Sequence, residues 1–172
     1  AALRLAGAAL IPVAARADDV GAAAAAGADT VWTITAACFV LFMQAGFAML
    51  EVGFSRMKNV GTVVAKILVN MSIASVVYWL VGFAIAFGAA DGFIGNIIGH
   101  TGFFPEFHPG QGYDLPALNA ASPTTPGAAK WFFEFVFCAV SLAIVWGTML
   151  ERTKFIVYIL FAVPFAGFIY PM

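Results

Sequence analysis

The chain of 172 residues is strongly apolar, with 63% hydrophobic and only 10% charged residues. A soluble domain usually carries about 25% charged residues, so this composition excludes a water-soluble globule and predicts an integral membrane protein. The net charge of −1 and the scattered cations exclude a basic face for nucleic acid, and no nucleic-acid partner is expected.

The first 28 residues are expected to lie outside the fold. They contain a basic residue (Arg4), a short apolar core at 5–13, and Ala-Arg-Ala at 15–17 ahead of two aspartates. Secretory signal peptides have this layout, with an apolar core of about 7–15 residues. The pattern predicts a signal peptide that is cleaved after Ala17, followed by an Ala-rich leader. An uncleaved, disordered leader is the alternative.

Four apolar runs follow, and each predicts a membrane helix. A bilayer core of about 30 Å needs about 20 apolar residues in a helix. The predicted helices cover about residues 30–54, 60–88, 128–150 and 155–170, and the last is short and interrupted by Pro164. The predicted fold is all-α: a polytopic transmembrane helical bundle over residues 29–172, which we expect to continue beyond Met172.

The connections between these runs predict the orientation in the membrane. The short connections at 55–59 and 151–154 each hold two cations, whereas the long connection at 89–127 holds neither Lys nor Arg. Cytoplasmic loops carry an excess of Lys and Arg, so the short connections are predicted to be cytoplasmic and the long one external. The N-terminus of the multi-pass chain would then lie outside. His100 and His108 in the long loop are interpreted as solvated, and no metal site is expected.

Two segments carry a motif. They are LFMQAGFAMLEVGFSRMKN at 41–59 and WFFEFVFCAVSLAIVWGTMLERTKF at 131–155. Together they resemble the ammonium transporter family (Amt/Mep, relatives of the Rh proteins), and the resemblance covers about residues 29–172. It implies the N-terminal portion of a channel-like transporter of eleven helices, built as inverted repeats and assembled as a homotrimer in the cell inner membrane. No catalytic residue and no cofactor are expected, and a cytoplasmic regulatory protein is a further candidate partner.

The resemblance places the external gate of the family, a stacked aromatic pair, on Phe133 and Phe137. Their i, i+4 spacing puts both rings on one helix face, and Val140 and Ile144 continue that face. An aromatic face can hold a cation with about 0.5–2 kcal/mol, whereas an aliphatic bore penalises a bare charge heavily. The stripe is therefore predicted to recruit ammonium as a cation and to pass it on deprotonated. The alternative is ordinary packing against a neighbouring helix.

Glu134 stands beside Phe133 near the outer end of the third span. A carboxylate at the mouth would concentrate cations there. Pairing with Lys130, four positions earlier, is the structural alternative.

Glu51 is a carboxylate inside an apolar run. Ionisable residues within spans usually face a cavity or a partner, so Glu51 is predicted to line the inner pore together with Phe47 and Leu50. A carboxylate paired with Lys66 or Arg56 is the alternative.

Other polar residues receive structural interpretations. Glu151 and Arg152 are predicted to form a structural ion pair at the inner end. Asn70, Ser72 and Ser75 are predicted to form interhelical hydrogen bonds.

Three rival functions stay open beside ammonium transport. The first is a non-conducting ammonium sensor of the same fold, with a signalling domain downstream. The second is a stand-alone four-helix scaffold subunit. The third, an intramembrane redox enzyme using Cys38 and Cys138, is disfavoured because no quinone or haem ligand pattern accompanies them. The outer tryptophan, buried aspartate and pore histidines of the family would all lie beyond position 172.

Overall fold

The computed structural model describes the backbone of residues 2–89, 98–105 and 116–172, and the side chains of 18–89, 98–105 and 118–172. Within these ranges the regular structure is entirely helical, which confirms the all-α prediction. The α-helices are α1 (Ala2–Phe54), α2 (Val60–Val77), α3 (Phe83–Phe87), α4 (Pro116–Ala121), α5 (Gly127–Thr148) and α6 (Phe155–Pro164). A 3-10 turn at Met57–Asn59 leads into α2, and π-helical segments at Tyr78–Gly82 and Phe165–Ile169 follow α2 and α6.

Three helical stretches of the described chain are long and apolar enough to cross a membrane, namely Asp18–Phe54, Met57–Phe87 and Gly127–Thr148. The fourth apolar stretch, Phe155–Ile169, is shorter. It is continuous in the structure, although Pro164 lies within it. A proline has no backbone N–H to donate, and the chain continues past it with π-type bonding, in which the Tyr170 N–H donates to the Phe165 carbonyl at 2.9 Å.

The predicted start of the first span at residue 30 is not a helix boundary. α1 is one helix from Ala2, so the predicted leader and the first span are continuous. Nearly all side chains described between residues 18 and 36 are exposed. Cleavage after Ala17 stays a prediction, because a helical leader is compatible both with cleavage and with its retention in the mature protein.

Helix α5 lies at the centre of the bundle. It packs against α1 on one side and α2 on another, and α6 packs against α2. Small side chains allow these close contacts, and Ala37, Ala74 and Ala139 are completely buried at them. The large core residues around them include Tyr78, Leu142 and Tyr158.

Gly82 allows the two π-helical segments to approach closely. A Cβ atom at this position would lie 2.5 Å from the Ala166 carbonyl oxygen, which is well inside a van der Waals contact. Only a residue without a side chain fits, so the second span and the fourth apolar helix meet backbone to backbone.

Candidate functional site

The predicted aromatic pair is formed on one face of α5. The ring centroids of Phe133 and Phe137 lie 5.0 Å apart, with their planes inclined at 56°. The rings are therefore tilted, not stacked as the resemblance implied. Phe137 is 37% exposed and Phe133 is half-buried, so both rings keep open surface on which a ligand could rest.

Below the pair, the predicted aliphatic stripe is only partly open. Ile144 is 53% exposed, whereas Val140 is 6% exposed. Because a helix turns every 3.6 residues, Val140 is rotated from the centre of the stripe toward Val136 and Ala143, which are both buried. In the described chain Val140 therefore packs against neighbouring side chains, and its role as a pore-lining position stays a prediction.

A cavity of about 320 Å³ lies at the N-terminal end of this stripe; we call it the outer cavity, because this end of α5 is predicted to be external. Its walls come from the outer part of α1, the end of the long connection, and the first turns of α5. The lining residues are Trp32, Thr33, Ala36, Leu118, Ser122, Thr125, Lys130, Phe133 and Glu134. Lys130 donates to the Asn119 side-chain oxygen at 3.0 Å and forms no ion pair with Glu134. The alternative of a Lys130–Glu134 pair is therefore wrong.

A second cavity, of about 560 Å³, lies between the C-terminal ends of α1 and α5; we call it the inner cavity, because these helix ends are predicted to be cytoplasmic. Four of the five predicted pore-lining residues are in its wall: Phe47, Leu50, Glu51 and Ile144. Phe54, Ala143, Gly147, Thr148, Leu150, Glu151 and Arg152 complete it. The sequence places these four predicted residues on two separate spans, and the structure brings them together in the wall of one cavity.

Glu51 is buried at the wall of this inner cavity. It is 4% exposed, and its Oε1 atom has no hydrogen-bond partner among the described residues. The carboxylate lies against Gly147, where an added Cβ would come within 3.4 Å of Oε1. Gly147 on α5, and not Gly46 or Gly53 beside Glu51 on α1, makes the close approach, since both of those glycines face open space.

The cations proposed as partners of Glu51 are engaged elsewhere. Arg56 donates through Nε to Glu151 Oε2 at 2.8 Å. The Lys66 ammonium lies 3.6 Å from the centroid of the Tyr158 ring, and the Tyr158 hydroxyl donates to the Met149 carbonyl. Lys66 acts on Glu51 only through space, so the ion-pair alternative for Glu51 is wrong for the described chain.

Glu151 joins the two short connections at the inner end. It accepts the Arg56 backbone N–H and the Asn59 side-chain amide, each at 2.8 Å, in addition to the Arg56 guanidinium. These donors, led by the Arg56 backbone N–H, hold the pKa of Glu151 below its ordinary value. The Glu151 backbone has a left-handed φ of 58°, which is uncommon for a non-glycine residue. The predicted Glu151–Arg152 ion pair is therefore wrong, and Arg56 takes the place of Arg152.

Comparison with known proteins identifies the family to which this chain belongs. The family model described as Ammonium Transporter Family matches residues 31–172. The ammonium transporter Amt2 of Archaeoglobus fulgidus is 40% identical over 144 residues, which are 84% of this chain and 27% of that protein. The chain belongs to the ammonium transporter family. The ammonium transporter Amt1 of Haloferax mediterranei is 34% identical over 86% of this chain and 26% of its own length.

A solved structure of the ammonium transporter family has the same fold. A protein named Sensor Amt Protein matches with a TM-score of 0.69 and 32% identity, over 85% of this chain and 33% of its own. The chain spans about a quarter to a third of the length of these relatives. The two cavities described above are therefore formed by the part of an Amt-type fold that this chain contains.

Sequence reasoning missed one buried contact in this Amt-type bundle. Asn70 is completely buried, and its amide donates to the Ala139 carbonyl at 2.9 Å and to the Gln44 side-chain oxygen at 3.5 Å. Gln44, which had not been singled out, is thus an interhelical partner. Ser72 and Ser75 instead donate to carbonyls of their own helix, so only Asn70 of the three predicted residues makes an interhelical bond.

Among the described residues, His100 and the two cysteines line neither cavity. His100 is exposed, as predicted, and His108 lies outside the described residues. Cys138 is buried and Cys38 is exposed. The two thiols are therefore in different environments, and neither lines a described cavity.

Proposed function

We propose that this chain is the N-terminal part of a protein that moves ammonium or ammonia across the cell membrane. The observation that carries the proposal is the Phe133–Phe137 pair, whose rings are partly open. Phe133 lines the outer cavity beside Glu134, and Ile144, further along the same helix face, lines the inner cavity. Membership of the ammonium transporter family supports the same substrate.

The proposed sequence of events follows from the cost of moving charge. Glu134 at the outer cavity attracts cations, because a carboxylate in a cleft focuses negative potential. The ring faces of Phe133 and Phe137 then hold ammonium with about 0.5–2 kcal/mol. Beyond them the path toward Ile144 is apolar, and burying an unpaired charge there costs far more than the rings return. Ammonium therefore gives its proton to water at the outer cavity, and ammonia continues as the neutral molecule.

The inner cavity is the proposed vestibule on the cytoplasmic side. Phe47, Leu50 and Glu51 line it, and it opens beside the connections that carry Arg56 and Arg152. The positive-inside rule supports this orientation, with the N-terminus outside. A homotrimer in the cell inner membrane, and a cytoplasmic regulatory protein as partner, belong to the same proposal through the family resemblance.

Uptake of labelled methylammonium tests the proposal. The full-length protein is expressed in cells that lack their own ammonium transporters, and uptake is compared with cells carrying an empty vector. We expect saturable uptake that unlabelled ammonium inhibits. Protein that reaches the membrane, folds, and gives no uptake above the vector would contradict transport.

A non-conducting ammonium sensor is the second candidate. The similarity to Sensor Amt Protein, at 32% identity and a TM-score of 0.69, is the observation that favours it. A sensor would bind methylammonium at the outer cavity without uptake. Equilibrium binding of labelled methylammonium to the purified full-length protein, measured beside the uptake assay, separates the two functions.

A further inference from the structure

The inner cavity contains a carboxylate that the path for neutral ammonia does not use. A neutral molecule leaving an apolar path gains only a hydrogen bond from a buried negative charge, whereas a cation also gains the attraction between opposite charges. Yet Glu51 is 4% exposed, its Oε1 has no hydrogen-bond partner among the described residues, and it faces a space of about 560 Å³. A buried carboxylate without a partner is costly, and a ligand with N–H donors would remove that cost.

Aromatic side chains surround this carboxylate on its own helix. Phe47, Glu51 and Phe54 are spaced i, i+4 and i+7, which places them on one face of α1, and all three line the inner cavity. Phe54 is 77% exposed and Phe47 is half-buried. Aromatic faces beside a carboxylate are the surroundings that ammonium-type cations prefer in proteins.

No neighbouring cation of the described chain forms an ion pair with Glu51, although Lys66 acts on it through space. Arg56 is bound to Glu151, and Lys66 lies over the Tyr158 ring. Arg152 lines the same cavity but is exposed on the inner connection and makes no ion pair with Glu51. Glu151, the other acid in the wall, already accepts three hydrogen bonds.

We propose that Glu51, Phe47 and Phe54 form a binding site for an ammonium-type monovalent cation in the inner cavity. The site is separate from the aromatic pair on α5, since its carboxylate and both rings belong to α1. It rests on the proposed function only for the identity of the natural ligand. The carboxylate supplies the charge and the hydrogen-bond acceptor, and the rings favour a weakly hydrated ammonium ion over sodium.

A cysteine in the cavity wall reports on this site without any transport measurement. Thr148 lines the inner cavity and is exposed. Thr148→Cys is introduced into the full-length protein together with Cys38→Ser and Cys138→Ala, so that it is the reactive thiol of the described chain. The purified protein is treated with aminoethyl methanethiosulfonate, a cation, and with sulfonatoethyl methanethiosulfonate, an anion. The ratio of the two rates measures the potential at the cavity wall.

We expect Glu51→Gln to lower the cation-to-anion rate ratio by about tenfold, because a carboxylate in a cleft raises local cation concentration by that order. Methylammonium chloride should slow modification by the cationic reagent, and sodium chloride at the same ionic strength should not. Asp29→Asn is the matched control, since this exposed carboxylate is on the same helix as Glu51 but lines neither described cavity, and it should leave both results unchanged.

Two results would overturn the site. One is an unchanged rate ratio in folded Glu51→Gln protein. The other is equal protection by sodium and methylammonium, which would mean screening of the charge and no binding. The salt comparison needs no change at Glu51, so it decides even if that variant does not fold. Phe54→Leu provides a further check, because it should raise the half-protecting methylammonium concentration by about two- to fivefold with the rate ratio unchanged.

The reporter also separates this proposal from transport. Protection at position 148 without methylammonium uptake would contradict the proposed transport and leave the inner site standing. Uptake of methylammonium without protection at position 148 would contradict the inner site and leave the proposed transport standing.

Discussion

Replacement of Phe137 by alanine separates a role in the gate from a role in packing. Phe→Ala at a fully buried position costs about 3–5 kcal/mol. Phe137 is 37% exposed, so about two-thirds of that burial is lost, and we expect the free energy of unfolding to fall by about 2–3 kcal/mol. The remaining ring of the pair, Phe133, keeps half of the aromatic surface.

The expected effect on transport is worked from the same contact. Loss of one cation–π contact of about 0.5–2 kcal/mol corresponds to a rise of roughly 2- to 30-fold in the methylammonium concentration that gives half-maximal uptake. The assay is uptake of labelled methylammonium by the full-length protein, divided by the amount of folded protein in the membrane.

Phe132→Ala is the matched control for this experiment. Phe132 is half-buried on the same helix and packs against Phe135, with ring centroids 6.4 Å apart, but it lies off the Phe133–Phe137 face. It should lower stability to a similar degree and leave half-saturation unchanged. If the two variants lose stability alike and both saturate as the wild type does, Phe137 is a packing residue and the gate assignment fails.

Three further predictions concern contacts between the helices and the orientation of the chain in the membrane. Glu151→Gln should lower the thermal midpoint at neutral pH. The thermal midpoint of the unmodified protein should fall on acidification between about pH 5 and pH 3, and the substitution should remove part of that fall. The pKa of Glu151 is depressed in the folded state, so its contribution is present above the ordinary value of about 4.3 and is lost as pH falls through the folded value; an identical acid limb in both proteins would disprove this. Asn70→Leu should lower the free energy of unfolding by about 1–2 kcal/mol, because it removes the interhelical bond to α5, whereas Ser72→Ala, which loses only a bond within its own helix, should be nearly neutral; equal midpoints in a detergent melt would contradict the assignment. Cysteines at Ala121 and Thr153, both exposed, test orientation in intact cells with an impermeant thiol reagent, and we expect labelling at 121 alone; labelling at 153 alone would reverse the topology.

The helices were predictable from the sequence because their signal is local. Apolar runs of sufficient length and the polar connections between them predicted helices at 60–88, 128–150 and 155–170, and the helical stretches of the structure are Met57–Phe87, Gly127–Thr148 and Phe155–Ile169. The start of α1 was not predictable, since an Ala-rich leader has high helix propensity and the helix continues through it without a break. The i, i+4 contact of Phe133 and Phe137 was also predictable, because helix geometry alone fixes it.

What only the tertiary structure decided is how residues from separate helices meet. Glu51 and Gly147 are 96 positions apart, and Arg56 and Glu151 are separated by 95; no periodicity along the chain relates them. Sequence reasoning therefore offered only nearby cations as possible partners of Glu51, as the alternative to a pore-lining role, and paired Glu151 with its neighbour Arg152, because the linear chain offers nearby residues first. Packing of α1 on α5 reassigned both carboxylates. It placed Glu51 against a glycine at the wall of a cavity and gave its expected partner Arg56 to Glu151. That position 51 carries a carboxyl group was determined by the sequence, but the lack of a hydrogen-bond partner for its Oε1 atom among the described residues is a consequence of the way the helices pack.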